Sequence, residues 1–369
     1  MPDSHSELRQ YIRMLGDAGS RDSIPSKLPR FGESAVEPLL AALGDADENV
    51  RYGAAWVIGR LRSSTLGAVL APLVLEPLID LLHTDEAARV RLQALTTLMA
   101  IAGDADREKL VEPLIQALAD SHEPIRAEAA RWLGQIRDRR AVEPLSQLMA
   151  NDSAEKVRGR AAYALAFIDP DLEALRAAGA VGLDALLSAL KDSERSVRLR
   201  AIWALGELKV NQAVRPLLAV LEGGANYQEK RKAAEALGQI GDRTAIDALL
   251  LALQFDPHEG VRSSAAEALG MLNDGRVLNS LTRSLLTDAH PAVRASVARA
   301  LAAMGDQAAV DALVQALRDS SSDVRYRAAE ALGVLGDARA VEPLQELIND
   351  PQTSKHARTA AAQALAAIS

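Results

Sequence analysis

The chain has 369 residues and a net charge of −8, and its aromatic residues number only three Trp, five Tyr and three Phe. The absence of cysteine excludes disulfides, thiolate metal sites and cysteine nucleophiles. The negative charge disfavours nucleic acid, because phosphate neutralisation supplies most non-specific affinity for it. The polar stretch from Pro2 to Glu7 lacks the pattern of a secretory signal, and we expect no apolar segment of the ~18 residues that a membrane span needs. We therefore expect a cytoplasmic protein that does not enter a membrane.

The first predicted element is an amphipathic helix from Glu7 to Ala18. Its apolar face consists of Leu8, Tyr11, Ile12 and Leu15. A polar, proline-containing linker from Arg21 to Gly32 follows. Because the first unit of a repeat array would otherwise expose its packing flank, we expect residues 1–33 to cap an array that occupies residues 34–369.

One motif recurs ten times in the rest of the chain. Its clearest copies run from Val261 to Gly270 and from Val324 to Gly333, each with an arginine three residues before an Ala-Ala pair. The anchor residues at this place in the ten copies are Arg51, Arg91, Arg126, Arg158, Arg198, Lys230, Arg262, Arg294, Arg325 and Arg358. They lie 31 to 40 residues apart, which accommodates two helices and short turns. The two longest intervals predict insertions near Arg62–Pro72 and Asp169–Gly179.

A second motif precedes each anchor, as in Ala35 to Leu40 and Ala340 to Leu344. Its recurring proline is predicted about four residues into the first helix of each pair, where backbone N–H groups have no helical acceptor to lose. Glycines recur near the end of the second helix, where the missing Cβ lets the next helix approach or the chain turn. These glycines are Gly59, Gly134, Gly206, Gly238, Gly270 and Gly333.

This pattern resembles HEAT repeats, and more closely the short HEAT-like repeat named after phycobilisome lyases. The resemblance covers about residues 34 to 369. It implies an all-α fold, a right-handed α-α superhelix of about ten two-helix repeats, with the second helices lining the concave side.

Positions in each second helix are numbered here from the anchor residue, which is position 0. At ~100° per residue, the apolar positions −1, +3, +4, +6 and +7 share one broad face, which we predict to be buried. The variable positions +1, +2, +5 and +9 are predicted to point the other way. The anchors lie on the packed side, so we expect them to form structural ion pairs. The expected acidic partners are Asp120, Asp138, Asp192, Asp242, Asp274, Asp306, Asp319 and Asp337.

Position +5 gathers large aromatic residues in the first five repeats only. Arginines adjoin them at neighbouring outward positions, and exposed aromatic rings interleaved with arginine are typical of interface cores. The predicted partner-binding residues are Tyr52, Trp56, Arg60, Arg131, Arg160, Tyr163, Arg200, Trp203 and Lys232. Alternatively, the rings cover neighbouring apolar surface. Trp132 at position +6 replaces a core alanine and is expected to fill a wide spot.

The sequence predicts no catalytic, metal or cofactor site. The pairs His122-Glu123 and His258-Glu259 lie in predicted turns before the anchor. In the di-iron HEAT-repeat deoxyhypusine hydroxylases, such pairs follow the anchor on the second helix, where they converge on iron. The leading hypothesis is therefore a non-catalytic scaffold or adaptor that binds a protein partner, whose identity stays open.

Three alternatives stay open beside it. The segment from Val50 to Trp56 resembles part of the E/F-type bilin lyases, which implies chromophore handling, but it departs from them at Gly53 and Val57, where that family carries aromatic residues. Nucleic-acid binding is a second alternative, which the net charge opposes. Self-assembly through the last repeat is a third, because residues Ala364 to Ala367 are expected to be exposed.

Overall fold

A computed structural model describes residues 4–168, 181–223 and 226–368, and within these ranges the secondary structure is helical, without a strand. The chain forms two compact units, the first up to Ala185 and the second from Leu186. The predicted all-α fold of two-helix repeats is confirmed. The predicted insertion at Asp169–Gly179 lies outside the described residues.

The first unit begins with a short helix that packs on the first repeat, and the segment before this repeat is called here the N-terminal cap. Helix Ser4–Met14 contacts both helices of that repeat, and Leu8 in the helix and Leu15 directly after it are buried. It ends earlier than predicted because the side chain of Asp17 accepts a hydrogen bond from the backbone at the start of a second helix, Ala18–Arg21.

The segment predicted as a polar linker, from Arg21 to Gly32, is part of the packed structure. Ile24 and Leu28 within it are fully buried, and a 3-10 helix, Leu28–Ala35, leads directly into the first repeat. Two apolar side chains therefore anchor a segment whose overall composition is polar.

Repeats 1 to 4 lie in the first unit. Their first helices are Val36–Leu43, Thr65–Thr84, Asp104–Ala117 and Val142–Asn151. Their second helices are Glu48–Leu61, Ala88–Ile101, Glu123–Ile136 and Glu155–Ile168. The second helices of repeats 1 to 4 contact one another in sequence order, so the helix pairs of this unit stack in that order.

Repeats 5 to 10 follow the same plan, and the boundary between the units falls within the first helix of repeat 5. The first helices are Val181–Ala189, Val214–Glu222, Ile246–Phe255, Leu278–Thr287, Val310–Ala316 and Val341–Asn349. The second helices are Arg195–Glu207, Tyr227–Ile240, Glu259–Leu272, Pro291–Met304, Ser322–Leu335 and Lys355–Ile368. In repeat 10, Ala364 is buried, whereas Ala366 and Ala367 are exposed as expected.

The insertion after repeat 1 is helical and lengthens the first helix of repeat 2 to the 20 residues of Thr65–Thr84. By length and a mean hydropathy of 1.8, this helix is long and apolar enough to cross a membrane, so the expectation that no segment reaches that threshold is wrong. In the structure it packs against repeat 1 and its own second helix, with Leu70, Val74 and Leu78 buried. This buried face belongs to the core of the stack.

The recurring prolines occupy two kinds of place. Pro38 is the third residue of its helix, near the predicted position, as are its counterparts in repeats 4, 6 and 10. Pro77 and Pro113 instead lie deep inside their helices, because the first helices of repeats 2 and 3 begin earlier than predicted.

Glycines at position +8 allow neighbouring second helices to approach closely. A Cβ on Gly134 would lie 2.7 Å from the Cα of Ala164, and one on Gly270 would lie 2.8 Å from the Cα of Ala300. Both glycines lie inside their helices rather than at a turn. Of the two predicted roles for these glycines, close approach is confirmed.

Most of the anchor residues form an ion pair with an acidic residue in the turn that follows. The guanidinium of Arg91 donates to the carbonyl oxygens of Asp85 and Glu86 in its own turn, at 2.8 and 3.1 Å. It also donates to both carboxylate oxygens of Asp120 in the following turn, at 2.7 and 2.8 Å. Equivalent ion pairs are Arg51–Asp85, Arg126–Asp152, Arg198–Glu229, Lys230–Asp256, Arg262–Asp288 and Arg294–Asp319. The structural role predicted for the anchors is therefore confirmed.

The acidic partners are only partly those predicted. Asp120 and Asp319 pair with anchors, but each with the anchor of the preceding repeat. The aspartates twelve residues after an anchor have another role, because each accepts a hydrogen bond from a backbone N–H two residues later and starts a 3-10 turn. These capping residues are Asp138, Asp242, Asp274, Asp306 and Asp337.

The ladder of ion pairs makes stability depend on pH. Burial alone would raise the pKa of Asp85, Asp120, Asp152 and Asp319, but hydrogen bonds from an anchor arginine and a backbone N–H outweigh it and hold the pKa below its ordinary value. A carboxyl with a depressed folded-state pKa contributes stability above its unfolded pKa and loses it as the pH falls through the folded one. We expect the urea midpoint to fall progressively below about pH 4. A midpoint that stays constant from pH 7 to pH 2.5 would contradict this account.

Candidate functional site

The variable positions of the second helices differ in exposure. Position +9 is the most open, with exposed residues at Arg60, Gln135, Glu207, Met271 and Val334. Position +5 is exposed or half-buried throughout, as predicted. Position +1 is buried at Ala127, Gly159 and Ala295, so the outward prediction is wrong there. It lies on the flank of the helix, where the stacked neighbouring repeat covers it.

Trp56 lines a groove of about 500 Å³ between the second helices of repeats 1 and 2, called here the Trp56 groove. The ring is half-buried, and the guanidinium carbon of Arg60 lies 5.0 Å from its centre. The remaining walls are formed by Gly59, Arg62, Ser63, Gln93, Thr96, Thr97 and Ala100. The groove thus combines one aromatic face, two guanidinium groups and several uncharged polar side chains.

The ring of Tyr52 is contacted by two arginines of the same unit. The guanidinium carbons of Arg21 in the cap and Arg89 in repeat 2 lie 4.8 and 5.8 Å from its ring centre. The adjacent Gly53 makes this arrangement possible, because a Cβ there would lie 2.0 Å from the carbonyl oxygen of Leu15. Tyr52 therefore helps to hold the N-terminal cap.

The same packing explains the two departures from the bilin-lyase segment. Gly53 is buried against the cap, and Val57 is fully buried in the core. The two places where that family carries aromatic residues are therefore interior positions in this chain, and neither can present a ring to a pigment.

Tyr163 and Phe167 line a smaller cleft of about 220 Å³ between the second helices of repeats 3 and 4, called here the Phe167 cleft. Their ring centres are 4.7 Å apart, and Tyr163 is 40% exposed. The guanidinium carbon of Arg137 lies 5.8 Å from the Phe167 ring centre. Arg131, Gly134 and Gln135 complete the wall of the cleft.

Two residues of this cleft, Arg137 and Phe167, are absent from the predicted binding set. Phe167 occupies position +9, which the sequence marks as variable, so a search of that position for aromatic residues would have found it. Arg137 ends its helix in the left-handed conformation, with a φ of 62°. No sequence pattern predicts that conformation for an arginine, and only the structure places its side chain at the cleft.

The other predicted residues of the first unit are Arg131 and Arg160. Arg131 donates to the carboxylate of Glu128 at 2.7 Å and stacks on Trp132, with the guanidinium carbon 3.9 Å from the ring centre. Trp132, predicted to fill a wide spot at a core position, is half-buried. Arg160 is half-buried on the second helix of repeat 4.

The predicted residues of the second unit are Arg200, Trp203 and Lys232, all half-buried on second helices. Lys232 donates to the carboxylate of Glu235 at position +5. Glutamates also occupy position +5 in later repeats, and they form ion pairs with arginines. Glu267 pairs with Arg299, and Glu330 pairs with Arg327. The acidic side chains at position +5 of this unit are thus neutralised by ion pairs.

Within the described ranges, no group of three or more histidine and acidic side chains is placed to hold a metal ion. His122 and His258 are the N-cap residues of the second helices of repeats 3 and 7. The Nδ1 atom of His258 accepts a hydrogen bond from the backbone N–H of Gly260 at 3.0 Å, and its ring stacks on Tyr227. These contacts give His258 a structural role at the start of a helix.

Stacked helix pairs with a variable surface along their second helices define an α-solenoid repeat protein. The HEAT-repeat family matches residues 3–99, 75–166, 214–290 and 278–366, and the phycobilisome-lyase HEAT-like repeat matches residues 197–223. The chain belongs to the HEAT-repeat family. No curated protein matches its sequence.

Several solved structures share the fold. An engineered protein is 24% identical with a TM-score of 0.51, covering 90% of this chain and 98% of its own. Yeast importin-β (Kap95p) is 15% identical with a TM-score of 0.66, covering 100% of this chain and 57% of its own. Kap121p bound to Pho4p is 12% identical with a TM-score of 0.63, covering 94% and 43%. The chain thus spans about half the length of these importin-type proteins, and the likeness shows the fold alone.

Proposed function

We propose that the chain is a non-catalytic scaffold that holds a protein partner on its second-helix surface. The observation that carries this proposal is the pair of aromatic–arginine hollows in the first unit, the Trp56 groove and the Phe167 cleft. Kap121p has been seen bound to Pho4p, so a related solenoid can hold a protein partner.

The composition of the two hollows supports a protein ligand. Trp, Tyr and Arg are the residues most enriched among those that dominate binding energy at protein interfaces. An aromatic ring offers a large contact area at low entropic cost, because few side-chain torsions have to be fixed. Neither hollow contains the nucleophile, base and orienting group that covalent catalysis requires.

Truncation of the tryptophans at position +5 tests the proposal. Replacing Trp56 and Trp203 by alanine is expected to weaken partner binding about 30-fold, because truncated hot-spot side chains cost about 2 kcal/mol or more. Partners captured from lysate by the immobilised wild-type chain would be quantified by mass spectrometry against the double variant. The double variant should keep the wild-type far-UV circular dichroism.

The matched control is the pair Met271→Ala and Val334→Ala. These side chains are 59% and 70% exposed at position +9 of the second unit, so the control also removes two large exposed side chains. It should leave capture unchanged. Equal capture by the wild type and the double tryptophan variant would overturn the proposal.

A further inference from the structure

Three guanidinium groups on the second-helix surface of the first unit have no carboxylate partner among the described residues of that unit. Arg60 lies over the ring of Trp56, Arg137 lies over the ring of Phe167, and Arg62 lines the Trp56 groove beside Arg60. In the described part of the unit, no aspartate or glutamate oxygen lies within 4.0 Å of any of the three. All three are exposed.

The equivalent surface of the second unit carries acidic residues that are paired with basic ones. Its position +5 carries Glu235, Glu267 and Glu330, and each of these acids is paired with a basic side chain of the same unit. The first four repeats carry Trp56, Thr96, Arg131 and Tyr163 at that position, with no acid among them. The two hollows of the first unit therefore offer positive charge that no carboxylate in the described part of that unit neutralises.

We propose that these hollows bind two acidic side chains from one extended segment of the protein partner. The inference rests on the proposed function and names the chemistry of the partner. A guanidinium presents a planar fork of donors that matches the two oxygens of a carboxylate. Stacking on an aromatic ring holds that fork in place, so less rotamer freedom is lost when the carboxylate arrives.

The distance between the hollows sets the spacing of the two acids. Arg60 lies in the last turn of the second helix of repeat 1 and Arg137 follows that of repeat 3, so two layers of stacked helices separate them. At ~8–10 Å per layer, the separation is about 16–20 Å. An extended strand advances ~3.3 Å per residue, so the two acids would be about five or six residues apart.

A protein segment fits this surface better than a nucleic acid does. The chain as a whole carries a charge of −8, which repels a uniformly charged phosphate backbone at long range. Two separate carboxylates need only the short-range contacts at Arg60 and Arg137. The apolar rings beside both guanidiniums also suit side chains that flank the acids.

The test uses the full chain and a display library of random twelve-residue peptides. The expected result is enrichment of peptides with two aspartates or glutamates five or six residues apart. Fluorescence anisotropy would then measure the affinity of the best peptide. The double variant Arg60→Glu with Arg62→Glu should weaken binding at least about tenfold, in line with the loss of one charge-assisted hydrogen-bonded pair.

Two further variants sharpen the result. Arg137→Asn removes the second positive charge with a residue that tolerates the left-handed φ of 62° at this place, and it should also weaken binding about tenfold. The double variant Arg215→Glu with Arg283→Glu makes the same charge change as the first variant on exposed parts of first helices in the second unit. It should leave the affinity unchanged.

The outcomes separate the two proposals. Enrichment of basic or neutral peptides whose binding still depends on Trp56 would overturn the inference of an acidic partner. It would leave the proposed scaffold function intact. Binding of a single-stranded DNA oligonucleotide that Arg60→Glu abolishes would show that the surface binds phosphate and would also overturn the inference. If no peptide binds and no protein is captured through Trp56 and Trp203, the proposed scaffold function is overturned as well.

Discussion

Replacing Arg91 by alanine is expected to lower the free energy of unfolding by about 3–5 kcal/mol, the range measured when one partner of a buried ion pair is removed. The side chains of Arg91 and Asp120 are only 11% and 9% exposed. The substitution would leave the Asp120 carboxylate without its bidentate partner. It would also leave the carbonyl oxygens of Asp85 and Glu86 without their shared donor, so two successive turns lose their connection.

The measurement is urea unfolding of the full chain, followed by far-UV circular dichroism. Arg318→Ala is the control, because that side chain is 81% exposed and its pairing with Glu346 is solvated. The control should unfold like the wild type. Arg91→Lys should be intermediate, since lysine keeps the charge and already serves as the anchor at Lys230. If Arg91→Ala and Arg318→Ala unfold at the same urea concentration, the anchors do not hold the turns together.

The repeat and the role of its anchors follow from the sequence, but the pairing does not. Ten regularly spaced basic residues in a helix face of alanine and leucine indicate buried charges that need partners. Because Asp138 follows Arg126 at a regular spacing, the sequence indicates Asp138 as the partner of this arginine. The actual partner, Asp152, lies in the turn of the next repeat, and only the stacking geometry brings that turn against the anchor.

The candidate surface is predictable to a similar extent. Rotation by ~100° per residue places Trp56 and Tyr163 away from the core, and both are accessible. The same rule places Tyr52 outward but considers one helix alone. It does not include the N-terminal cap, whose Arg21 covers the ring. The Phe167 cleft is formed by two adjacent helices and one residue in the left-handed conformation. A pattern within a single helix therefore cannot predict it.

Replacing Gly270 by alanine is expected to destabilise the second unit, although alanine is the better helix former. In an isolated helix, the change would stabilise by about 1 kcal/mol. Here the new Cβ would lie 2.8 Å from both the Cα and the Cβ of Ala300, and 3.1 Å from its carbonyl oxygen. Two of these atoms are backbone, so no side-chain rotation relieves the clash and the two helices have to separate.

We expect the separation to outweigh the gain in helix propensity, giving a net loss of about 1–3 kcal/mol, as for other overpacked interiors. Thermal and urea unfolding of Gly270→Ala would measure it against Gly275→Ala, whose added Cβ meets no atom within 4 Å. The control should match the wild type or exceed it slightly. A gain in stability for Gly270→Ala would mean that propensity dominates and that the second helices of repeats 7 and 8 can move apart freely. Because each repeat contacts only its neighbours, the loss should appear as early unfolding around repeats 7 and 8 while the first unit stays folded.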